Sequence, residues 1–109
     1  MNSKKAMQNI QKVNNLLTDL YNSLNNQEAR NAVQVAYNKI NKPDKISAKC
    51  KEVPEAVEKM KRVFSRLSLS KECHFTRFQE ELVSKLTVFT RKSFQKGFDG
   101  LVYADTWFI

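Results

Sequence analysis

The residues of this chain that could do chemistry are few: one histidine, two cysteines and scattered carboxylates. His74 directly follows Cys73, and a thiol beside an imidazole is the raw material of a nucleophile pair. Neighbours in sequence need not face one another, however, and no third group to orient the imidazole is evident. The plainer reading places both in a helix connection. Cys50, Cys73 and His74 also lack the paired spacing of zinc sites. Cys50 falls on an apolar stripe, where a cysteine serves as a small core residue. The carboxylates include two close pairs, Glu80-Glu81 and Glu55 with Glu58, and paired carboxylates can divide acid and base roles. Each pair is expected in the first turn of a helix, where acidic side chains meet the positive end of the helix dipole. No glycine-rich phosphate loop is present. No catalytic, metal-ligating or cofactor-binding residue is therefore assigned, and the sequence speaks for a binding protein, not an enzyme.

The binding signals are of two kinds. A net charge of +8 and a pI of about 9.7 favour anionic partners, whether lipid head groups, nucleic acid or acidic protein. Lys39, Lys42, Lys45, Lys49 and Lys51 form a basic run, which Lys59, Lys61, Arg62 and Arg66 continue. Such a run is often no more than a solvated face. Its functional counterpart is attraction to an anionic membrane leaflet, where each nearby Lys or Arg contributes about 1 kcal/mol. Nucleic acid competes less well, because Asp44, Glu52, Glu55 and Glu58 interleave the cations and no clear helix-turn-helix signature is present. The second signal is the aromatic tail, residues 97–109. Phe98, Leu101, Val102, Tyr103, Trp107, Phe108 and Ile109 are too apolar for an idle disordered end. Either they fold back over one side of the protein, or some remain available as anchors, since Trp and Tyr commonly carry interface energy. Gly97 and Gly100 suit pivots in both cases. The candidate partner-binding residues are Arg91, Lys92, Lys96, Phe98, Leu101, Tyr103, Trp107 and Phe108.

The elements that must position these residues read as helices. At 109 residues and 12.7 kDa the chain is expected to form one domain. Area scaling buries about two-thirds of its surface, enough for one core without staples. Two Gly and two Pro leave few turn formers for a many-stranded sheet and favour a few long helices. Helix one should span about residues 3–24, with Ile10, Val13, Leu17, Leu20 and Leu24 stepping by three and four and Met7, Leu16 and Tyr21 widening the stripe. Asn25 or Asn26 can cap helix two, about residues 27–40, which carries Ala29, Val33, Ala36, Tyr37 and Ile40 on one face. Pro43 ends it.

Ile46, Cys50, Val53, Val57, Met60, Phe64 and Leu67 then keep a four-three rhythm straight through Pro54. Either helix three starts at Pro54, a favoured first position, or a longer helix begins near Asp44 and kinks there. The cost of an interior proline, about 3 kcal/mol, favours the first. Residues 68–73 lead to helix four, about residues 76–96. Thr76 and Gln79 have the spacing of a capping box, and Phe78, Leu82, Leu86 and Phe89 recur on one face. Arg91, Lys92 and Lys96 offset the dipole of the last turns, and Gly97 suits a left-handed cap. The expected fold is all-α: an antiparallel four-helix bundle over residues 1–96 with the tail after helix four. The Asn-rich helices one and two must be held by packing, since Asn is a poor helix former. Residues 1–9 are followed by no continuous apolar core, so neither a signal peptide nor a membrane span is expected. That places the chain in the cytosol, with Cys50 and Cys73 as reduced thiols.

The run His74-Phe75-Thr76-Arg77-Phe78-Gln79-Glu80-Glu81-Leu82-Val83-Ser84-Lys85-Leu86, with the later Gly100-Leu101-Val102-Tyr103-Ala104-Asp105, resembles a known family. It is similar to the immunity proteins that lactic acid bacteria and streptococci use against pediocin-like (class IIa) bacteriocins, nearest the enterocin A immunity type. The likeness covers roughly the last third of the chain. Its Phe-Thr-x-x-Gln-Glu-x-Leu run is moderately specific. The resemblance implies a cytosolic antiparallel four-helix bundle that protects a peptide-producing cell from its own bacteriocin, at times from the inner face of the membrane. The implied partner is the membrane part of the mannose phosphotransferase permease in complex with the bacteriocin, whose pore the immunity protein would block. Specificity would reside in the C-terminal half, here helix four and the tail. The chain departs from the enterocin A type by ending in Trp107-Phe108-Ile109 where that type has a polar tail, which leaves the target bacteriocin open. The alternatives are a small basic nucleic-acid-binding regulator and a helical adaptor protein.

Overall fold

Each helix in the computed structural model buries one apolar stripe, and the four stripes meet in a single core. The structure describes residues 3–94. Four helices follow in order: α1 (Ser3–Ser23), α2 (Gln27–Asn41), α3 (Ile46–Leu69) and α4 (Arg77–Phe94). The described residues contain no strand, and no helix among them is long and apolar enough to cross a membrane. The expected cap at Gly97, the basic Lys96 and the tail of residues 97–109 lie outside the described residues.

The bundle order follows from the contacts. Early α2 meets late α3 where Glu28 pairs with Arg66, and late α2 meets the middle of α3 where Lys39 pairs with Glu55. The end of α1 meets the start of α4, Gln79 donating its amide to the Ser23 carbonyl at 2.6 Å. Lys12 of α1 lies 4.6 Å from the ring centre of Phe89, late in α4. These pairs run in opposite directions, as in an antiparallel bundle. α2 and α4 occupy opposite corners without close backbone contact, whereas α1 and α3 touch across the diagonal. Val13, Leu17 and Leu20 of α1 pack with Val33 and Ile40 of α2, Val53, Phe64 and Leu67 of α3, and Val83 and Leu86 of α4, all essentially sealed from solvent.

The termini explain why the helices begin and end where they do. Asn26 caps α2 by accepting from the Ala29 N–H at 2.9 Å. Thr76 and Gln79 form a complete capping box: the Gln79 N–H donates to the Thr76 hydroxyl at 3.2 Å and the Thr76 N–H to the Gln79 side-chain oxygen at 2.9 Å. α3 ends differently from any sequence signal. The Glu72 N–H reaches the Leu67 carbonyl at 3.0 Å and the Lys71 N–H reaches that of Ser68 at 3.2 Å, the hydrogen bonds of a Schellman motif. The left-handed position, φ 64°, belongs to Lys71 where a glycine is usual.

Several sequence expectations need correction. α3 does not start at Pro54; it starts at Ile46 and runs through the proline. Pro54 has no N–H for the Cys50 carbonyl, but the preceding two turns bury Val53 completely and seat Ile46 and Cys50 against the core. Each buried aliphatic side chain contributes about 1.5–3 kcal/mol, so together they offset the roughly 3 kcal/mol cost of the proline. Phe78 does not face the core and is 58% exposed; Gln79, Leu82, Val83, Leu86, Thr87 and Thr90 form the buried face of α4. The aromatic place belongs instead to Phe75, just before the helix, whose ring lies 4.8 Å from that of Phe64. Met7, expected on the α1 stripe, is 60% exposed, and Tyr37 lies at the margin of the α2 stripe.

Two stability measurements follow. Pro54→Ala restores a helical hydrogen bond within α3 and should raise unfolding free energy by about 1–3 kcal/mol in urea titrations; a helix beginning at residue 54 would gain nothing. Gln79→Ala removes both the reciprocal cap and the link to Ser23 and should lower stability by about 2 kcal/mol, against no measurable change for Met7→Ala.

Candidate interaction surface

The cationic side chains divide into two groups with different electrostatics. On the face shared by α2 and α3, basic residues are matched by acids. Lys39 donates to Glu55 at 2.7 Å, and Lys59 reaches the same carboxylate oxygen at 3.1 Å, one turn along α3. Arg66 pairs with Glu28 and lies 3.8 Å from Glu72, while Arg62 stands 3.9 Å from Glu58. Glu55 and Glu58 therefore do not occupy the first turn of α3, as the sequence led us to expect, but its middle, where they neutralise lysine and arginine. Glu80 does lie in the first turn of α4. Between these ion pairs lies a shallow groove of about 260 Å³ lined by Ala32, Val35 and Val63, with buried Met60 at its base.

The second group is less neutralised. Lys42 and Lys45 in the α2–α3 connection and Lys51 in the second turn of α3 are exposed and make no ion pair with another described residue. Lys49 donates to the Asn41 carbonyl at 2.9 Å, closing the end of α2.

Of the partner-binding candidates, Arg91 and Lys92 lie in the last turn of α4, Arg91 half-buried and Lys92 exposed. Lys96, Phe98, Leu101, Tyr103, Trp107 and Phe108 lie outside the described residues. Lys92 borders a groove of about 560 Å³ between α1 and α4. Its apolar lining comes from Leu16, Val88 and Phe89, and its charged rim from Lys12, Lys85 and Lys92 with Glu81. The Lys12 ammonium sits over the Phe89 face, a cation–π arrangement. Phe94 meets Phe89 edge-on at 6.1 Å between centroids. This geometry places cations around an aromatic floor immediately before the C-terminal segment. That Lys12 and Leu16 face α4 is not readable from the sequence, where they lie far from it and Leu16 serves only to widen the α1 stripe. Their one signal was a position at the edge of the α1 stripe, one turn apart.

The groups considered for chemistry are placed as follows. Cys50 and Cys73 are free thiols, half-buried against the core, and burial pushes both up from the usual thiol value. That disfavours the thiolate a nucleophile needs. His74 is exposed in the α3–α4 connection. Among the described residues no three His, Cys, Asp or Glu side chains are placed to hold a metal. Comparison with family models, curated proteins and solved structures finds no match for this chain.

The Lys39–Glu55–Lys59 cluster has a pH signature. Hydrogen bonds from Lys39 and then Lys59, reinforced by their charges, hold the Glu55 carboxyl at about 2, below its ordinary value of 4.5. A depressed folded-state value means that the folded protein resists protonation. The stabilisation is present above pH 4.5 and is lost as pH falls towards 2. Wild type should therefore lose more stability across that window than Glu55→Gln does, and parallel thermal melts would check it.

Proposed function

We propose that this chain is a bacteriocin immunity protein of the class IIa type, a non-enzymatic protector of the cell that makes it. In this reading it works from the cytosol, at the inner face of the membrane. It engages the membrane mannose phosphotransferase permease carrying a class IIa bacteriocin and blocks the pore.

The observation that carries the reading is the Phe75-Thr76-x-x-Gln79-Glu80-x-Leu82 run, whose residues each have a defined place. Phe75 packs on Phe64, Thr76 and Gln79 cap α4, Glu80 meets its dipole, and Leu82 enters the core. The run that bears the family likeness is thus also the device that starts and orients α4. A cationic rim over an aromatic floor at the far end of the same helix supports a recognition role there, because aromatic and arginine side chains commonly dominate interface energy. Recognition by Arg91, Lys92 and the segment that follows needs no bond making or breaking, which agrees with thiols held protonated by burial.

The test is expression of the full chain in a strain sensitive to pediocin-like peptides, followed by challenge with a panel of them. Protection against at least one peptide is expected, and removal of the residues after Gly97 should abolish it. A fully folded, well-expressed chain that protects against none would sink the proposal.

A further inference from the structure

Among the described residues charge is not spread evenly: the excess of cations over acids is greatest at one end of the bundle. The helix order brings the start of α1, the end of α2, the start of α3 and the end of α4 together there. α1 contributes Lys4 and Lys5. The α2–α3 connection and the first turns of α3 contribute Lys42, Lys45, Lys49 and Lys51, and α4 contributes Arg91 and Lys92. Against them stand Asp44, Glu52 and Glu55: Glu52 lies 4.0 Å from Lys39 of the same end, Glu55 pairs with that lysine at 2.7 Å, and Glu55 and Glu58 share a groove with Arg91, so the cations still outnumber the acids there. At the other end, Arg30, Arg66, Lys71 and Arg77 are balanced by Asp19, Glu28, Glu72, Glu80 and Glu81. Helix dipoles do not create this asymmetry, since two N-termini and two C-termini meet at each end.

We propose that the cationic end of the bundle docks on an anionic lipid bilayer, head-on, with the long axis of the bundle directed away from the membrane. Clustered Lys and Arg attract anionic head groups within about a Debye length of the surface. Met7, 60% exposed on α1 one turn beyond Lys4, adds an apolar side chain to the cationic end. Insertion of an exposed thioether at the acyl boundary gains free energy, whereas the phosphate rows of a nucleic acid offer it nothing. Met7 is therefore the feature that selects a bilayer over a polynucleotide. The proposal rests on the placement of charge and of Met7 and stands apart from the immunity reading, so either can fail without the other.

Vesicle flotation tests it, with the full chain at physiological salt and phosphatidylcholine vesicles with or without phosphatidylglycerol. The triple variant Lys42→Gln, Lys45→Gln, Lys51→Gln is compared with Arg62→Gln, Lys71→Gln, Arg77→Gln, which removes the same charge elsewhere. Circular dichroism shows whether both keep their helices. About a fivefold loss per neutralised lysine is expected at the cationic end, about a hundredfold for three, with the remote triple retaining most binding. Met7→Ser should weaken vesicle binding and leave duplex DNA binding unchanged. Equal losses in the two triples, no dependence on phosphatidylglycerol, an inert Met7→Ser, or tighter binding to duplex DNA than to vesicles would each overturn the proposal.

Discussion

No helix of this chain is stable by itself, and the shared burial of one apolar stripe per helix is the constraint from which the rest follows. Short helices are marginal in water, and the Asn-rich α1 and α2 carry weak helix formers on their outer faces. Their order comes from Val13, Leu17 and Leu20 meeting Val33 and Ile40, with Phe64, Leu67 and Leu86 closing the far side. Leucine-to-alanine changes at such sites cost about 2–5 kcal/mol, a large share of the stability of a single small domain. The polar features then refine a structure that apolar contact has already selected. Gln79 is the most economical of them, because one side-chain amide caps α4 and ties it to the end of α1.

Surface charge plays a different role in each region. Across α2 and α3 it is structural, with lysines and arginines matched to glutamates one helix away or one turn along. Exposed ion pairs of this kind contribute little individually, so their value lies in setting helix order and in leaving that face nearly neutral. Excess positive charge is displaced to the end formed by the α2–α3 connection and the termini of α1 and α4. The α1–α4 groove, with its lysine rim and aromatic floor, adjoins that end through Lys92. Recognition and surface attraction can thus occupy neighbouring parts of one molecule.

Much of the fold was legible because helical period is a strong signal. The four helices, the Asn26 cap and the Thr76–Gln79 box all follow from residue types at fixed offsets. The failures arose where tertiary packing outweighed a local rule. Pro54 read as a helix start, yet the rhythm of Ile46, Cys50 and Val53 was the truer guide, since burial of those residues outweighs one missing hydrogen bond. Phe78 reads as core because it shares the helical spacing of Leu82, Leu86 and Phe89; the buried face of α4 instead runs through Gln79, Val83, Leu86 and Thr90, which leaves Phe78 outward, and Phe75 takes the place against Phe64. Lys71 in a left-handed position had no glycine to announce it. The α1–α4 groove was invisible because no local pattern reveals which helix edges will become neighbours.

Asn14 and Asn41 exchange amide hydrogen bonds across α1 and α2, at 3.0 and 2.9 Å, and Asn41 also reaches the Tyr37 carbonyl at 2.8 Å. Aliphatic stripes tolerate sliding by a turn, since one leucine fits a neighbour's socket much as another does. A reciprocal amide pair in a half-buried seam does not, because displacement would strand donors and acceptors without partners. The two asparagines therefore act as a vernier on the first hairpin, choosing one axial setting among several that hydrophobic contact alone would accept.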